Sequence, residues 1–183
     1  MIVLYGIIGV AVFSFLLVKL YLSAMGLENV IVRGADHTPF SVEEQTEDSI
    51  LLSTKVEFVN EGRQCATIMD AIVRPQLPYE QYDGIEARGK AELEGRPRED
   101  DYFEAVLILR KGDVPDRINI LMKVRLTARK GMKLKEALAH MVDLPLELIW
   151  METGRMPWRY RKICVVLSAA EIAGLAGVEL AED

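Results

Sequence analysis

The residues able to do chemistry are few and far apart. There are two histidines, His37 and His140, and two cysteines, Cys65 and Cys164. His37 lies in the polar turn Asp36-His37-Thr38-Pro39, and His140 lies in a helical stretch. A Cys–His or Ser–His nucleophilic pair would have to be assembled from these, and no nucleophile-elbow pattern accompanies them. Phosphate-cradling loops of the GxGxxG or GxxxxGK(S/T) type do not occur. Glu99-Asp100-Asp101 are adjacent carboxylates, but Arg96 and Arg98 beside them point to local ion pairing rather than to a raised-pKa acid. Glu43, Glu44, Glu47 and Asp48 read as a solvated acidic face, without the alternating Asp/Asn ligands and glycine of a calcium loop. Neither cysteine has metal-ligand spacing around it; both read as buried free thiols, or as one disulfide between an early and a late strand. The expectation is a non-enzyme with no cofactor and no metal.

One constellation invites a binding role: Gly154-Arg155-Met156-Pro157-Trp158-Arg159-Tyr160-Arg161-Lys162. Four cations are interleaved with two aromatics and a methionine. In an extended strand Trp158, Tyr160 and Lys162 share one face, and Arg159 and Arg161 share the other. Trp, Tyr and Arg are the residues most enriched at interface hot spots. Cations near a bilayer attract anionic lipid at about 1 kcal/mol each. Arg155, Trp158, Arg159, Tyr160, Arg161 and Lys162 are therefore candidate protein or lipid contacts. The competing reading is a hairpin whose Trp packs inward while its cations are solvated. As exposed groups, Arg159 and Arg161 would tolerate charge reversal within about 0.5 kcal/mol of stability. A second basic run, Lys123 to Lys135, could extend the surface, with Lys123 and Arg125 pointing away from the core.

The elements that position these residues begin with an apolar run. From Ile2 to Leu22 the only charge is Lys19. At helical rise this run spans about 30 Å, the hydrocarbon thickness of a bilayer. Tyr5 and Tyr21 sit near its ends, where amphipathic rings prefer the headgroup level, and Lys19 is close enough to one end to snorkel. The expectation is an uncleaved anchor contacting membrane lipid through residues 2–22. A cleaved signal sequence is the alternative, but its apolar region would be shorter and would follow a basic stretch. Lys19 near the end of the run and Arg33 after it favour a cytoplasmic domain, while Glu28 and Asp36 among them leave the side open.

Residues 25–49 read as a stalk, with Ser41 and Glu44 as a helical capping box. From residue 50 the period becomes two. Leu52, Thr54, Val56 and Phe58 alternate inward, Asn60-Glu61-Gly62 turns, and residues 64–74 return, which reads as a β-hairpin. Residues 85–94 alternate between small or apolar and charged side chains. Phe103, Ala105, Leu107 and Leu109 read as the next core face. Ile118, Ile120, Met122, Val124 and Leu126 give five inward positions. Leu134, Ala137, Leu138 and Met141 carry helical spacing over residues 133–142. Leu146, Leu148 and Trp150 mark another strand, and residues 158–168 the last. Residues 169–183 form an acidic tail, either a short helix or disordered. About seven strands, Gly/Pro turns, one inserted helix and no βαβ alternation give an antiparallel β-sandwich over residues 50–168.

The segment Val56-Glu57-Phe58-Val59-Asn60-Glu61-Gly62, followed by Ala66-Thr67-Ile68, resembles the opening strands of small immunoglobulin-like sandwiches in prokaryotic membrane-anchored and surface proteins. The resemblance implies that fold and no activity. Cys65 and Cys164 are too far apart in sequence for the usual bridge, and Tyr160 stands four residues before Cys164 rather than two. With a formal net charge of −6, the chain does not suit nucleic acid. The reading as a whole is a mainly β chain: an N-terminal anchor (1–24), then an immunoglobulin-like sandwich acting as an accessory or scaffold module for a protein partner at the membrane. A sandwich that senses a small ligand or ion is the alternative.

Overall fold

A computed structural model describes residues 2–78, 82–98, 103 and 105–181, with side chains from Tyr5 onward. The Glu99-Asp100-Asp101 cluster lies outside them. The chain opens with an apolar helix, α1 (Ile2–Met25), whose described side chains are all exposed. Nine strands follow among the described residues: β1 (Val30–Val32), β2 (Ser41–Gln45), β3 (Ser49–Asn60), β4 (Ala66–Pro75), β5 (Ile85–Leu93), β6 (Val106–Ile108), β7 (Arg117–Ala128), β8 (Leu144–Thr153) and β9 (Arg159–Leu167). Two short helices, α2 (Leu134–Leu138) and α3 (Ala169–Ala176), complete the chain.

The strands form two antiparallel sheets. One has the order β1-β3-β7-β5, with β2 also on β3; the other has the order β6-β4-β8-β9. One apolar core lies between them. Ile50, Leu52, Val56 and Phe58 of β3 and Ile120, Met122, Val124 and Leu126 of β7 supply one side. Ile68, Leu146, Leu148 and Trp150 are buried on the other. Phe58 meets Trp150 edge to face across the sheets, with centroids 5.0 Å apart. The period-two reading of β3, β7 and β8 is observed.

Far from α1, the core is closed by the helices. Leu134, Ala137, Leu138 and Met141 are buried as their spacing predicts, although the helix itself covers only Leu134–Leu138. Residues 169–176 are an ordered helix with Ile172, Ala173 and Ala176 buried, capped by Ser168 through the Glu171 amide.

Four expectations are corrected. The stalk over residues 25–49 is not separate from the sandwich, because β1 and β2 both pair with β3. Ser41 and Glu44 therefore lie in a strand and form no capping box. Residues 50–74 are not a hairpin: β3 and β4 belong to opposite sheets, and residues 61–65 form the corner between them. Around β6 the phase is inverted, with Ile108 buried and Leu107 exposed. A one-residue slip exchanges the two faces of a strand, and both faces of β6 carry apolar residues, so alternation alone could not fix the phase.

Candidate functional site at the junction of the apolar helix and the sandwich

A helix leaves its last four carbonyls without intrahelical partners. In α1 each of these finds one. Leu22 O accepts from Arg155 Nη1 at 3.0 Å, and Ser23 O from the Gly26 amide at 3.2 Å. Ala24 O accepts from Arg63 Nη1 at 3.4 Å, and Met25 O from Gln64 Nε2 at 3.0 Å. Arg155 also reaches Gly26 O at 3.1 Å. Three of the four caps come from side chains of the sandwich. Two of them are guanidinium groups, placed where the helix dipole favours positive charge.

Asn60 and Glu28 organise the turns that carry these caps. Asn60 is fully buried at the end of β3. Its Oδ1 accepts from the Asn29 amide at 3.1 Å and the Gly62 amide at 2.9 Å, while its Nδ2 donates to Gln64 O and Leu109 O. The Glu28 carboxylate is buried and accepts from the Arg155 and Met156 amides, both at 2.9 Å. Burial opposes its charge, but backbone hydrogen bonds, those of Met156 and Arg155 included, and the Arg159 charge outweigh burial and hold its pKa below the usual carboxylate value. The backbones approach too closely for side chains at two points. A Cβ on Gly62 would lie 2.4 Å from Asn29 N, and one on Gly154 would lie 2.6 Å from Glu28 Cδ.

The 154–162 stretch does not form one patch. Arg155 belongs to the junction. Trp158 and Tyr160 project outward from β9, 64% and 63% exposed, in an edge-to-face pair with centroids 6.0 Å apart. Lys162 shares their face and pairs with Glu147, whose pKa its hydrogen bond lowers. Arg159 and Arg161 point the other way, toward the core side, and are not free. Both bind Glu152, which is 1% exposed, at 2.8 and 3.0 Å. Arg161 also donates to Val30 O at 2.7 Å and lies over the Trp150 ring, 5.6 Å from its centroid. The two arginines are ion-paired rather than free, with Arg159 keeping 45% and Arg161 36% of the side chain exposed. A carboxylate at an inward position of β8 needs cations inward on β9, because a lone buried charge costs several kcal/mol. The competing hairpin reading had the faces reversed as well, since Trp158 is outside.

The outer face of the second sheet carries an apolar patch bordered by the Lys162–Glu147 pair. Met69, Met151 and Tyr160 sit side by side on β4, β8 and β9, with Ile72 and Ile149 beside them in the next row. A β-bulge at Asp70, where φ is +50°, lets Met69 and Ile72 both face outward. Ile72, Leu107, Trp158 and Val166 are exposed.

In the second basic run, the two residues expected to point outward from β7 are engaged by carboxylates. Lys123 lies between Glu43 and Glu92, 2.8 Å from each, and Arg125 pairs with Glu44 at 2.7 Å. The acidic face of β2 is therefore partly neutralised by β7. Cys65 and Cys164 are both free thiols; Cys164 is exposed rather than buried. His37 hydrogen-bonds Thr38 O and Thr54 Oγ1, and the Thr54 hydroxyl in turn donates to Thr38 O. Among the described residues no group of three His, Cys, Asp or Glu is placed to hold a metal ion.

No protein-family model and no curated protein sequence matches the chain. Among solved structures it is similar to the GAE domain of GGA2p from Saccharomyces cerevisiae, with a TM-score of 0.34 and 8% identity, over 77% of this chain and 91% of that one. The CooA pilin subunit from enterotoxigenic Escherichia coli gives a TM-score of 0.32 and 9% identity, over 78% of this chain and 97% of that one. Likeness at this level carries neither fold nor function across.

Proposed function

We propose that the protein is a single-span membrane protein whose immunoglobulin-like sandwich is a non-enzymatic module that holds a protein partner at the bilayer surface. The observation that carries this reading is the fully capped end of α1. An apolar helix of spanning length, none of whose described side chains is buried against the sandwich, is joined to it by hydrogen bonds from Arg63, Gln64 and Arg155. A segment destined for cleavage would have no need of such partners in the mature domain. The strand order supports the immunoglobulin-like assignment: β1-β3-β7-β5 against β4-β8-β9 follows the A-B-E-D and C-F-G arrangement, with β6 added beside β4.

Partner binding is assigned to the outer face of the second sheet, around Ile72, Met69, Met151 and Tyr160. Contiguous exposed apolar surface marks interaction sites, and aromatic residues and methionine are enriched in them. The test is native electrophoresis of the complex from mildly solubilised membranes, combined with the intact mass of the extracted chain. Ile72→Glu is expected to shrink the complex to the size of the free chain while the mass still includes residues 2–22. An unchanged complex removes the face from the account, and a mass starting near Met25 removes the anchor.

A further inference from the structure

We infer that the end of the sandwich nearest α1 rests on the bilayer, with an anionic phospholipid headgroup seated between α1 and the turn at residues 110–113. The inference rests on the reading of α1 as a retained span. Arg63, Gln64 and Arg155 bond the last turn of that helix, so they lie at the level where the span leaves the hydrocarbon. The three turns at this end are tied together. The Lys111 amide donates to Gly62 O at 2.9 Å, linking the 110–115 turn to the β3–β4 corner. Glu28 fixes the β8–β9 turn beside them.

Two features of these turns fit a bilayer surface. Their tips present apolar side chains to solvent: Val114 is 90% exposed on the turn after β6, and Met156 and Trp158 are exposed on the β8–β9 turn. Tyr21 is exposed on the last turns of α1, and aromatic rings with polar edges favour the headgroup level. A hollow of about 640 Å³ opens beside Ala24 and Met25. It is lined by the cations Arg63, Arg110 and Lys111 against the acids Glu61 and Asp113. Asp113 engages Arg110 at 2.7 Å. With Arg155 at the helix end, positive charge is in excess where phosphate groups would lie. The occupant is a lipid rather than a protein because the hollow adjoins the point where the helix enters the membrane.

The experiment uses the full chain in phosphatidylcholine nanodiscs, with and without phosphatidylglycerol, containing lipids brominated on the acyl chain. The two tryptophans separate cleanly, since Trp150 is buried against Phe58 and Trp158 is exposed. Trp158→Phe supplies the Trp150 background. Trp158 is expected to lose most of its emission to the brominated lipid and little to aqueous iodide, and more so with phosphatidylglycerol. Lys111→Glu, an exposed substitution, is expected to abolish the phosphatidylglycerol increment. Quenching of Trp158 by iodide alone, in a chain that stays in the membrane through an alkaline wash, overturns the inference and leaves the anchor standing. Protection of Trp158 from both quenchers means a protein covers it, and overturns the lipid assignment. Release of the chain by the alkaline wash overturns both readings.

Discussion

Removal of the Glu28 carboxylate tests the junction through a single side chain. Glu28→Ala deletes the acceptor of two backbone hydrogen bonds, from Arg155 and Met156, both 2.9 Å long. Hydrogen bonds to a charged group contribute about 1.5–3 kcal/mol each. The 155–156 turn is partly open to water, which can replace some of the loss, so the pair is taken at about 2–4 kcal/mol. For a domain of roughly 150 residues this lowers Tm by about 4–16 °C. Glu28→Gln keeps one acceptor oxygen but turns an NH2 toward the other amide, and is expected to fall between Ala and the parent. The assay is thermal unfolding of the full chain in detergent, followed through the buried Trp150 in a Trp158→Phe background. A Tm within about 1 °C of the parent for Glu28→Ala would show that the two bonds hold nothing, and would refute the built junction.

Three other outcomes follow from the geometry. Arg161→Glu places a second carboxylate against the buried Glu152 and is expected to destabilise by about 3–5 kcal/mol, read as a fall in the urea midpoint; a change within about 0.5 kcal/mol would mean that the Glu152 cluster is hydrated. Trp150→Ala is expected to cost about 3–5 kcal/mol and Trp158→Ala less than about 0.5 kcal/mol, so equal losses in parallel denaturation curves would contradict the assignment of inner and outer faces. Glu28 and Glu92 have lowered pKa values in the fold. The stability they supply is complete above the unfolded carboxylate value of about 4.3 and is lost as pH falls through their lower folded values. Tm measured against pH should be flat from neutrality to about pH 5 and drop below about pH 4, with a shallower drop in Glu28→Gln.

Much of the fold was legible in period-two alternation, wherever one face was apolar and the other was not. β3 and β7 are legible for that reason. The phase of β6 is not legible, because Leu107 and Ile108 are equally apolar and a short edge strand has little else to fix it. After Asn60 the sequence shows a turn but not which sheet the chain enters next, so a corner and a hairpin look alike there. The buried Asn60 amide bonds Gln64 O and Leu109 O, and these distant partners leave no local pattern. The Arg159 and Arg161 orientation was legible in retrospect. Leu167, Val165 and Ile163 set the inward face of β9, and stepping back by twos reaches Arg161 and Arg159. The same count along β8 from Leu144 reaches Glu152, so the two inward charges of opposite sign implied a buried pair. Glu28 carried no such signal, because its partners are amides more than a hundred residues away.

The central claim is that α1 is fixed to the sandwich rather than hung from it by a flexible stalk. Its direct measurement is the distance distribution between spin labels at Leu16 on α1 and Thr127 at the far end of β7, in a cysteine-free full chain reconstituted in nanodiscs. A single narrow distance, which broadens in Glu28→Ala, is predicted. A broad distribution in the parent chain, unchanged by Glu28→Ala, would contradict the account.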